Sequence, residues 1–124
     1  MNTYVMKIVY CKYIPFRGFF AMNFFTLIIV RKIYKDVVER GWYIVKRMLN
    51  HESIHTEQMK ETLFIGFYIL YFLNWLFNLI VYPKHAYRYI AFEQEAYANQ
   101  GNFSYNEHRK HFAWIKYIFK KPVK

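Results

Sequence analysis

The sequence contains very little cysteine and few acidic residues. Cys11 is the single cysteine, so an intramolecular disulfide is excluded and no cysteine-based metal motif can be assembled. Lysine and arginine number 18 against 8 aspartates and glutamates, which gives a formal net charge of +10. This balance favours an anionic neighbour, whether a membrane surface, a nucleic acid or an acidic substrate.

Residues 1–16 also lack the features of a cleavable signal peptide. Lys7 and Lys12 interrupt the apolar stretch that a signal peptide requires, and no small-residue cleavage site follows. We therefore expect the protein to be kept on the cytoplasmic side.

Apolar and aromatic residues are abundant. They make up 56% and 23% of the chain, which excludes a disordered protein. With 124 residues the chain can build one core and little more, so we expect a single domain over residues 1–124.

The N-terminal part predicts β-structure. Residues 4–14 are rich in Val, Ile and Tyr and indicate a strand, and Pro15 to Gly18 indicate a turn. The apolar run 19–31 is rich in Phe, Ile and Val, which favours a strand or hairpin. We expect residues 4–30 to form a small antiparallel sheet.

The remainder predicts helices, so the fold class is α+β. Apolar residues recur at spacings of three and four from Asp36 onward, and a helix that begins near Tyr43 can continue through Glu61 into residues 62–82. Pro83 ends that helix.

Two further helices are expected towards the C-terminus. One covers about 86–99 and stops at a polar turn. Ser104 and Glu107 match the capping-box pattern, which predicts a last helix over 105–119.

The run 62–82 has 21 residues without a charge, which meets the length criterion for a transmembrane helix. Asn74 and Asn78 weigh against a simple span, because an amide in hydrocarbon is costly without a partner. Tyr68 and Tyr71 also lie near its middle, where interfacial aromatics are not expected. A membrane-associated helix and a buried core helix both remain open.

The stretch NHESIHTEQM contains the pattern H-E-x-x-H. On a helix, His51 and His55 lie one turn apart and can offer two imidazoles to one cation, while Glu52 reaches a water beside it. A catalytic zinc site uses three protein ligands and a water whose proton a glutamate can accept. The pattern therefore predicts a hydrolytic zinc site that needs a third ligand.

Candidates for the third ligand lie downstream. Glu93 and Glu95 are the only carboxylates between Glu61 and Glu107, and their neighbours are apolar and aromatic. Isolated carboxylates in such surroundings favour a bound cation.

HESIHTEQ, followed some forty residues later by FEQEAYAN, resembles the gluzincin group of HExxH metallopeptidases, especially its minimal members. It is also similar to a group of small bacterial proteins with the same two strings. The likeness is close over residues 50–58 and 92–99 and loose over the preceding sheet. It implies a zincin-like helical bundle, a Zn²⁺ cofactor and a peptide or protein substrate.

The resemblance also implies residue roles. His51 and His55 match the two histidine ligands, Glu52 the catalytic base and Glu93 the ligand glutamate. An edge strand before the metal helix, within residues 19–30, would hold the substrate backbone by strand addition.

Tyr97 departs from the family pattern, because it occupies the place of an aspartate that orients a ligand histidine. Such a partner fixes the histidine tautomer and raises its basicity. Asn99, Gln58 or Glu95 can take this role, and Glu95 is also the second choice as ligand after Glu93.

Donors for a developing oxyanion are less evident. Three polar aromatics near the third-ligand helix are candidates, although in a chain with 13 tyrosines such residues are more often structural: His85, Tyr87 and Tyr89.

Three functions follow from these observations. The first is a zinc metallopeptidase, associated with the membrane through residues 62–82. The second is a catalytically inactive zinc-binding or membrane-associated structural protein with the same fold. The third, nucleic-acid binding, is disfavoured because the basic residues are dispersed and the aromatics lie in apolar runs. No nucleic-acid partner is expected.

Overall fold

The computed structural model describes residues 7–13, 21–25 and 27–118. Three short strands form one sheet in the order β1-β3-β2, namely β1 (Lys7–Cys11), β2 (Ala21–Phe24) and β3 (Leu27–Arg31). The predicted turn at Pro15 to Gly18 and the ends of the first predicted strand lie outside the described residues.

The sheet is mixed rather than antiparallel. β2 and β3 form the predicted antiparallel pair, but β1 runs parallel to β3, with Lys7 opposite Leu27. The prediction of an all-antiparallel sheet is therefore wrong for the β1–β3 pair. Apolar patterning decides which face of a strand is buried, as for Ile28 and Val30, but it does not decide the direction of the neighbouring strand.

The first two helices follow the sheet. A 3-10 turn over Lys32–Tyr34 leads into the short helix α1 (Lys35–Glu39). Gly41 has a φ of +66°, which favours glycine, and lets the chain turn into α2 (Tyr43–Glu61). The predicted start of the motif helix at Tyr43 is confirmed.

The predicted continuation of α2 into the apolar run is wrong. The chain turns by 108° between α2 and α3 (Ile65–Val81). At the turn Leu63 and Phe64 have φ values of 57° and 63°, and the Phe64 amide donates to the Met59 carbonyl at 2.8 Å. This bond spans the helix end as in a Schellman motif, with Leu63 in the position that glycine usually occupies.

Among the described residues, no single helix has both the length and the apolar character needed to cross a membrane. The bent pair α2–α3 meets that criterion together, by length and composition alone.

The C-terminal helices are shorter than predicted. Helix α4 spans Ala91–Asn99 rather than 86–99, and helix α5 spans only Tyr105–His108, followed by a 3-10 turn over Ala113–Tyr117. The capping box does not form, since the Ser104 hydroxyl donates to Asn102 instead.

A tertiary contact stops α5 early. Arg109 adopts an extended conformation after α5, and its guanidinium reaches Glu61 and Glu95. A buried ion pair therefore overrides the helical preference of the local sequence.

Helix α2 connects two hydrophobic clusters. At its N-terminal end, Val45 and Leu49 pack on Ile28 and Val30 of the sheet. At the other end, Met59 joins a second cluster whose remaining buried members are Phe67, Ile90 and Phe92. The H-E-x-x-H pattern lies between the two clusters, on a helix that packing holds at both ends.

Candidate metal centre

The two motif histidines and one glutamate converge where α2 packs against α4. His51 Nε2 lies 3.0 Å from Glu93 Oε1, His55 Nε2 lies 3.2 Å from the same oxygen, and the two Nε2 atoms are 3.2 Å apart. All three residues are buried. These side chains form a group that can hold a metal ion.

The spacing of the three atoms fits a small cation. Tetrahedral ligands at the usual zinc distances of about 2.0–2.1 Å lie about 3.3–3.4 Å from one another. The observed separations of 3.0–3.2 Å are only slightly shorter. The donor set, two imidazoles and one carboxylate, also matches the ligands that zinc accepts.

Glu93 and the two histidines stabilise each other's charged forms. Burial alone would lower the pKa of His55, but the neighbouring Glu93 carboxylate raises it to about 9. Burial would likewise raise the pKa of Glu93, yet the two histidines hold it well below its ordinary range. The site thus favours positive charge at the point where the three atoms meet.

Gln58 fixes the tautomer of His55. The Gln58 NH₂ group donates to the Phe92 carbonyl at 3.0 Å and to Glu95 Oε1 at 2.9 Å. Both amide hydrogens are then used, so the atom facing His55 Nδ1 at 2.8 Å is the amide oxygen, which must accept. In neutral His55, Nδ1 carries the proton and the Nε2 lone pair points at the metal position.

Glu95 lies behind Gln58 and not in the metal position. Both its oxygens accept from Arg109, at 2.6 and 3.0 Å, and one of them also accepts from the Tyr105 hydroxyl. Its role as an alternative ligand is therefore not supported by the geometry. Glu95 instead holds Gln58, which in turn holds His55.

Gln100 occupies the corresponding position beside His51, 2.8 Å from Nδ1. When its amide oxygen accepts from the Arg47 guanidinium at 3.1 and 3.2 Å, its NH₂ group donates to His51 Nδ1. The His51 Nε2–H then donates to Glu93. Ligation through Nε2 needs the proton on Nδ1, and therefore a half-turn of the Gln100 amide that would break its hydrogen bonds with Arg47.

Tyr97 and Asn99 do not replace the family's aspartate. The Tyr97 ring packs edge-on against His51, with centroids 4.5 Å apart, and its hydroxyl faces that of Tyr87 at 3.3 Å. The Asn99 amide donates to the Glu95 carbonyl and to the Tyr117 hydroxyl. The partners of the two histidines are instead carboxamides, Gln58 for His55 and Gln100 for His51.

Tyr71 completes the environment of the glutamate. Its hydroxyl donates to Glu93 Oε2 at 2.6 Å, which leaves Oε1 directed at the histidines. Burial and the nearby Glu93 carboxylate raise the pKa of Tyr71 far above its ordinary value, so Tyr71 remains a donor at neutral pH.

Glu52 and two of the three candidate ligands, His55 and Glu93, border one cleft of about 240 Å³. Glu52, His55 and Glu93 line one side, and Ala21 and Asn23 of β2 line another. β2 is one of the two outer strands of the described sheet, and the Asn23 amide ties it to α2 by donating to the Glu52 carbonyl at 2.8 Å.

The cleft also places a proton acceptor and a donor near the metal position. Burial raises the pKa of the Glu52 carboxyl. Of the three predicted oxyanion donors, only Tyr87 borders the cleft. Burial, followed by the Glu93 charge, raises the pKa of Tyr87, so it stays protonated. His85 stacks on Tyr89, which packs against Tyr82.

Sequence reasoning did not identify four residues that shape the site: Asn23, Tyr71, Gln100 and Arg109. Each lies far along the chain from its partner, so no local spacing connects them. Tyr71 was the one with a signal, since a hydroxyl in the middle of an apolar run needs a polar partner.

Comparisons of the chain with protein-family models, with curated proteins and with solved structures find no match.

Proposed function

We propose that the protein is a zinc-dependent metallopeptidase that hydrolyses peptide bonds at the cleft between β2 and α2. One observation carries the proposal: His51, His55 and Glu93 converge with near-tetrahedral spacing, and Glu52 borders the same cleft. The identity of the ion as zinc rests on the donor set of two imidazoles and one carboxylate.

The chain's own residues account for the remaining steps. When bound, zinc supplies Lewis acidity, which lowers the pKa of water and polarises a substrate carbonyl. Glu52 accepts a proton from the attacking water as the oxygen bonds to the carbonyl carbon. Glu52 then returns the proton to the amide nitrogen as the C–N bond breaks. Burial raises the pKa of the Glu52 carboxyl, which makes its carboxylate a stronger proton acceptor.

The surroundings of the cleft suit an extended polypeptide. Ala21 to Asn23 border it on an outer strand of the sheet, where a peptide can add as a further strand. Tyr87 borders the same cleft, and its hydroxyl is our candidate donor for the developing oxyanion.

A second candidate is zinc binding without hydrolysis. It is favoured by the partners of the ligand histidines, which are the carboxamides of Gln58 and Gln100 rather than a carboxylate. A neutral partner raises the basicity of an imidazole less than a carboxylate does.

Metal analysis tests both candidates. We expect one zinc per chain in the wild type and loss of zinc in His51→Ala. Failure to bind zinc would contradict the metallopeptidase and the binding candidate alike.

Hydrolysis separates the two candidates. We expect the wild type to cleave casein or a peptide library and Glu52→Gln, with zinc still bound, to be slower by about 10²–10⁴-fold. Glu57→Gln makes the same chemical change on the same helix, where Glu57 pairs with Lys60 outside the site, and should leave the rate unchanged. A zinc-loaded wild type as inactive as Glu52→Gln would favour the second candidate.

A further inference from the structure

Helix α3 presents a large apolar face to solvent. Six of its large side chains are more than half exposed: Ile65, Ile69, Phe72, Leu73, Phe77 and Ile80. The helix has no charged residue along its 17 positions. Contiguous apolar patches above a few hundred Å² are uncommon on soluble monomers and mark interaction surfaces.

The other side of α3 is already attached to the body of the protein. Phe67 is buried against Phe92, the Asn74 side chain accepts from the Ala91 amide at 2.9 Å, and the Asn78 amide donates to the Ala86 carbonyl at 2.9 Å. These contacts fix the orientation of the helix, so the exposed face cannot turn inward without breaking them.

The apolar face continues beyond the helix on both sides. A groove of about 470 Å³ is lined by α3 together with Phe24, the last residue of β2, and Phe25. A second groove of about 320 Å³ is lined by α3 together with Trp114 and Ile118. Leu73 lines both grooves. The two grooves and α3 therefore form one continuous surface, which we call the α3 face.

The charges around the α3 face have one sign. Residues 21–31, 62–92 and 108–118, which contribute to the face, contain no aspartate or glutamate. The same segments carry the exposed basic residues Lys84 and Lys116. A wide apolar surface on segments that carry basic and no acidic residues matches the chemistry of an anionic lipid bilayer.

We propose that the α3 face docks on the surface of an anionic membrane, with acyl chains against α3 and its two grooves and the basic side chains among the headgroups. Tyr68 lines both the first groove and the metal cleft, so docking would bring the mouth of the cleft next to the lipid. The proposal does not depend on the metal site.

Vesicle sedimentation tests the proposal on the whole protein. The probes are vesicles of phosphatidylcholine alone and vesicles of equal parts phosphatidylcholine and phosphatidylglycerol. We expect binding to the anionic vesicles, weakened by added salt, and little binding to the neutral ones.

Matched variants separate the contribution of the apolar side chains to vesicle binding from the effect of a changed net charge. Ile69→Asp with Phe72→Asp should lower the affinity for anionic vesicles by about tenfold or more. Ile33→Asp with Ile44→Asp alters net charge equally at exposed positions outside the α3 face and should bind nearly as the wild type does.

Ile69→Ser with Phe72→Ser removes the same apolar side chains without adding charge and should also weaken binding. The fold of each variant is checked by circular dichroism and by a separate measurement of zinc binding. Equal binding by the two aspartate pairs, or no preference for anionic vesicles, would overturn the proposal. A discrete lipid-free dimer that the Ile69 and Phe72 variants dissociate would assign the face to a second copy of the chain and also overturn it.

Discussion

Replacement of Arg109 should strongly lower the stability of this protein. Its guanidinium donates to Glu61 at 2.6 and 3.0 Å and to Glu95 at 2.6 and 3.0 Å, so it binds two carboxylates through paired contacts. All three side chains are almost completely buried. Arg109→Met keeps much of the side-chain volume but removes the guanidinium that binds both buried carboxylates.

The expected loss of stability is large. Removing one partner of a buried ion pair costs about 3–5 kcal/mol, because a charge remains buried without compensation. The free energy of unfolding of a domain of this size is about 5–15 kcal/mol, so the variant loses a large fraction of it. An exposed control pair exists in Arg40 and Asp36, 2.9 Å apart, and Arg40→Met should cost at most about 0.5 kcal/mol.

Urea unfolding of wild type, Arg109→Met and Arg40→Met in the presence of EDTA measures these differences without a contribution from zinc. A stability of Arg109→Met within about 1 kcal/mol of the control would refute the assignment of a buried, uncompensated charge.

The difference in the free energy of unfolding between Arg109→Met and the wild type should depend on pH. Burial alone would raise the pKa of Glu61, but hydrogen bonds from Arg109 and from the Phe112 amide lower it below its ordinary value of 4.5. In the wild type this carboxylate stabilises the fold above pH 4.5, and the stabilisation is lost as the pH falls through the lowered pKa. Without Arg109 the pKa of Glu61 should be higher than in the wild type, because burial raises it and the hydrogen bonds from the guanidinium no longer lower it. The difference between variant and wild type should therefore narrow on acidification from neutral pH, and a constant difference would contradict this reasoning.

Two further predictions concern Gln58 and the turn between α2 and α3. Gln58→Leu should weaken zinc binding by about 10–100-fold in a calorimetric titration. The control Gln94→Leu removes a buried amide that donates to the Tyr89 and Tyr117 carbonyls, and it should not change the zinc affinity. Equal losses of affinity in the two variants would contradict the role of Gln58. Leu63→Gly should raise the free energy of unfolding by about 0.5–1 kcal/mol, because Leu63 is 83% exposed with a φ of 57°. The control Lys60→Gly, within helix α2, should lower the free energy of unfolding by about 1 kcal/mol. A loss of stability in Leu63→Gly would contradict backbone strain at Leu63.

Part of the environment of the asparagines in the apolar run could be predicted from the sequence, and part could not. The sequence indicated that Asn74 and Asn78 need polar partners, and the structure provides them in the backbone around Ala86 and Ala91. The need follows from the cost of burying an amide. The identity of the polar partner does not follow from the sequence, because it depends on how α3 packs against the segment before α4.

The sequence by itself determined the part of the site that depends on local geometry. On a helix of fixed pitch, His51 and His55 must lie on one face, and the scarcity of carboxylates left Glu93 and Glu95 as the candidates for a third ligand. The apolar periodicity also located the motif helix from Tyr43 onward.

The resemblance ranked Glu93 before Glu95 as a ligand, but only the tertiary structure shows which of them faces the histidines and what their partners are. The packing of α4 on α2 directs Glu93 at the histidines and Glu95 at Arg109, although the two residues are neighbours on one short helix. The direction of β1, the 108° turn after α2 and the early end of α5 depend on contacts between distant segments. Local propensity amounts to fractions of a kcal/mol per residue, about 0–1, and burial or a buried ion pair outweighs it.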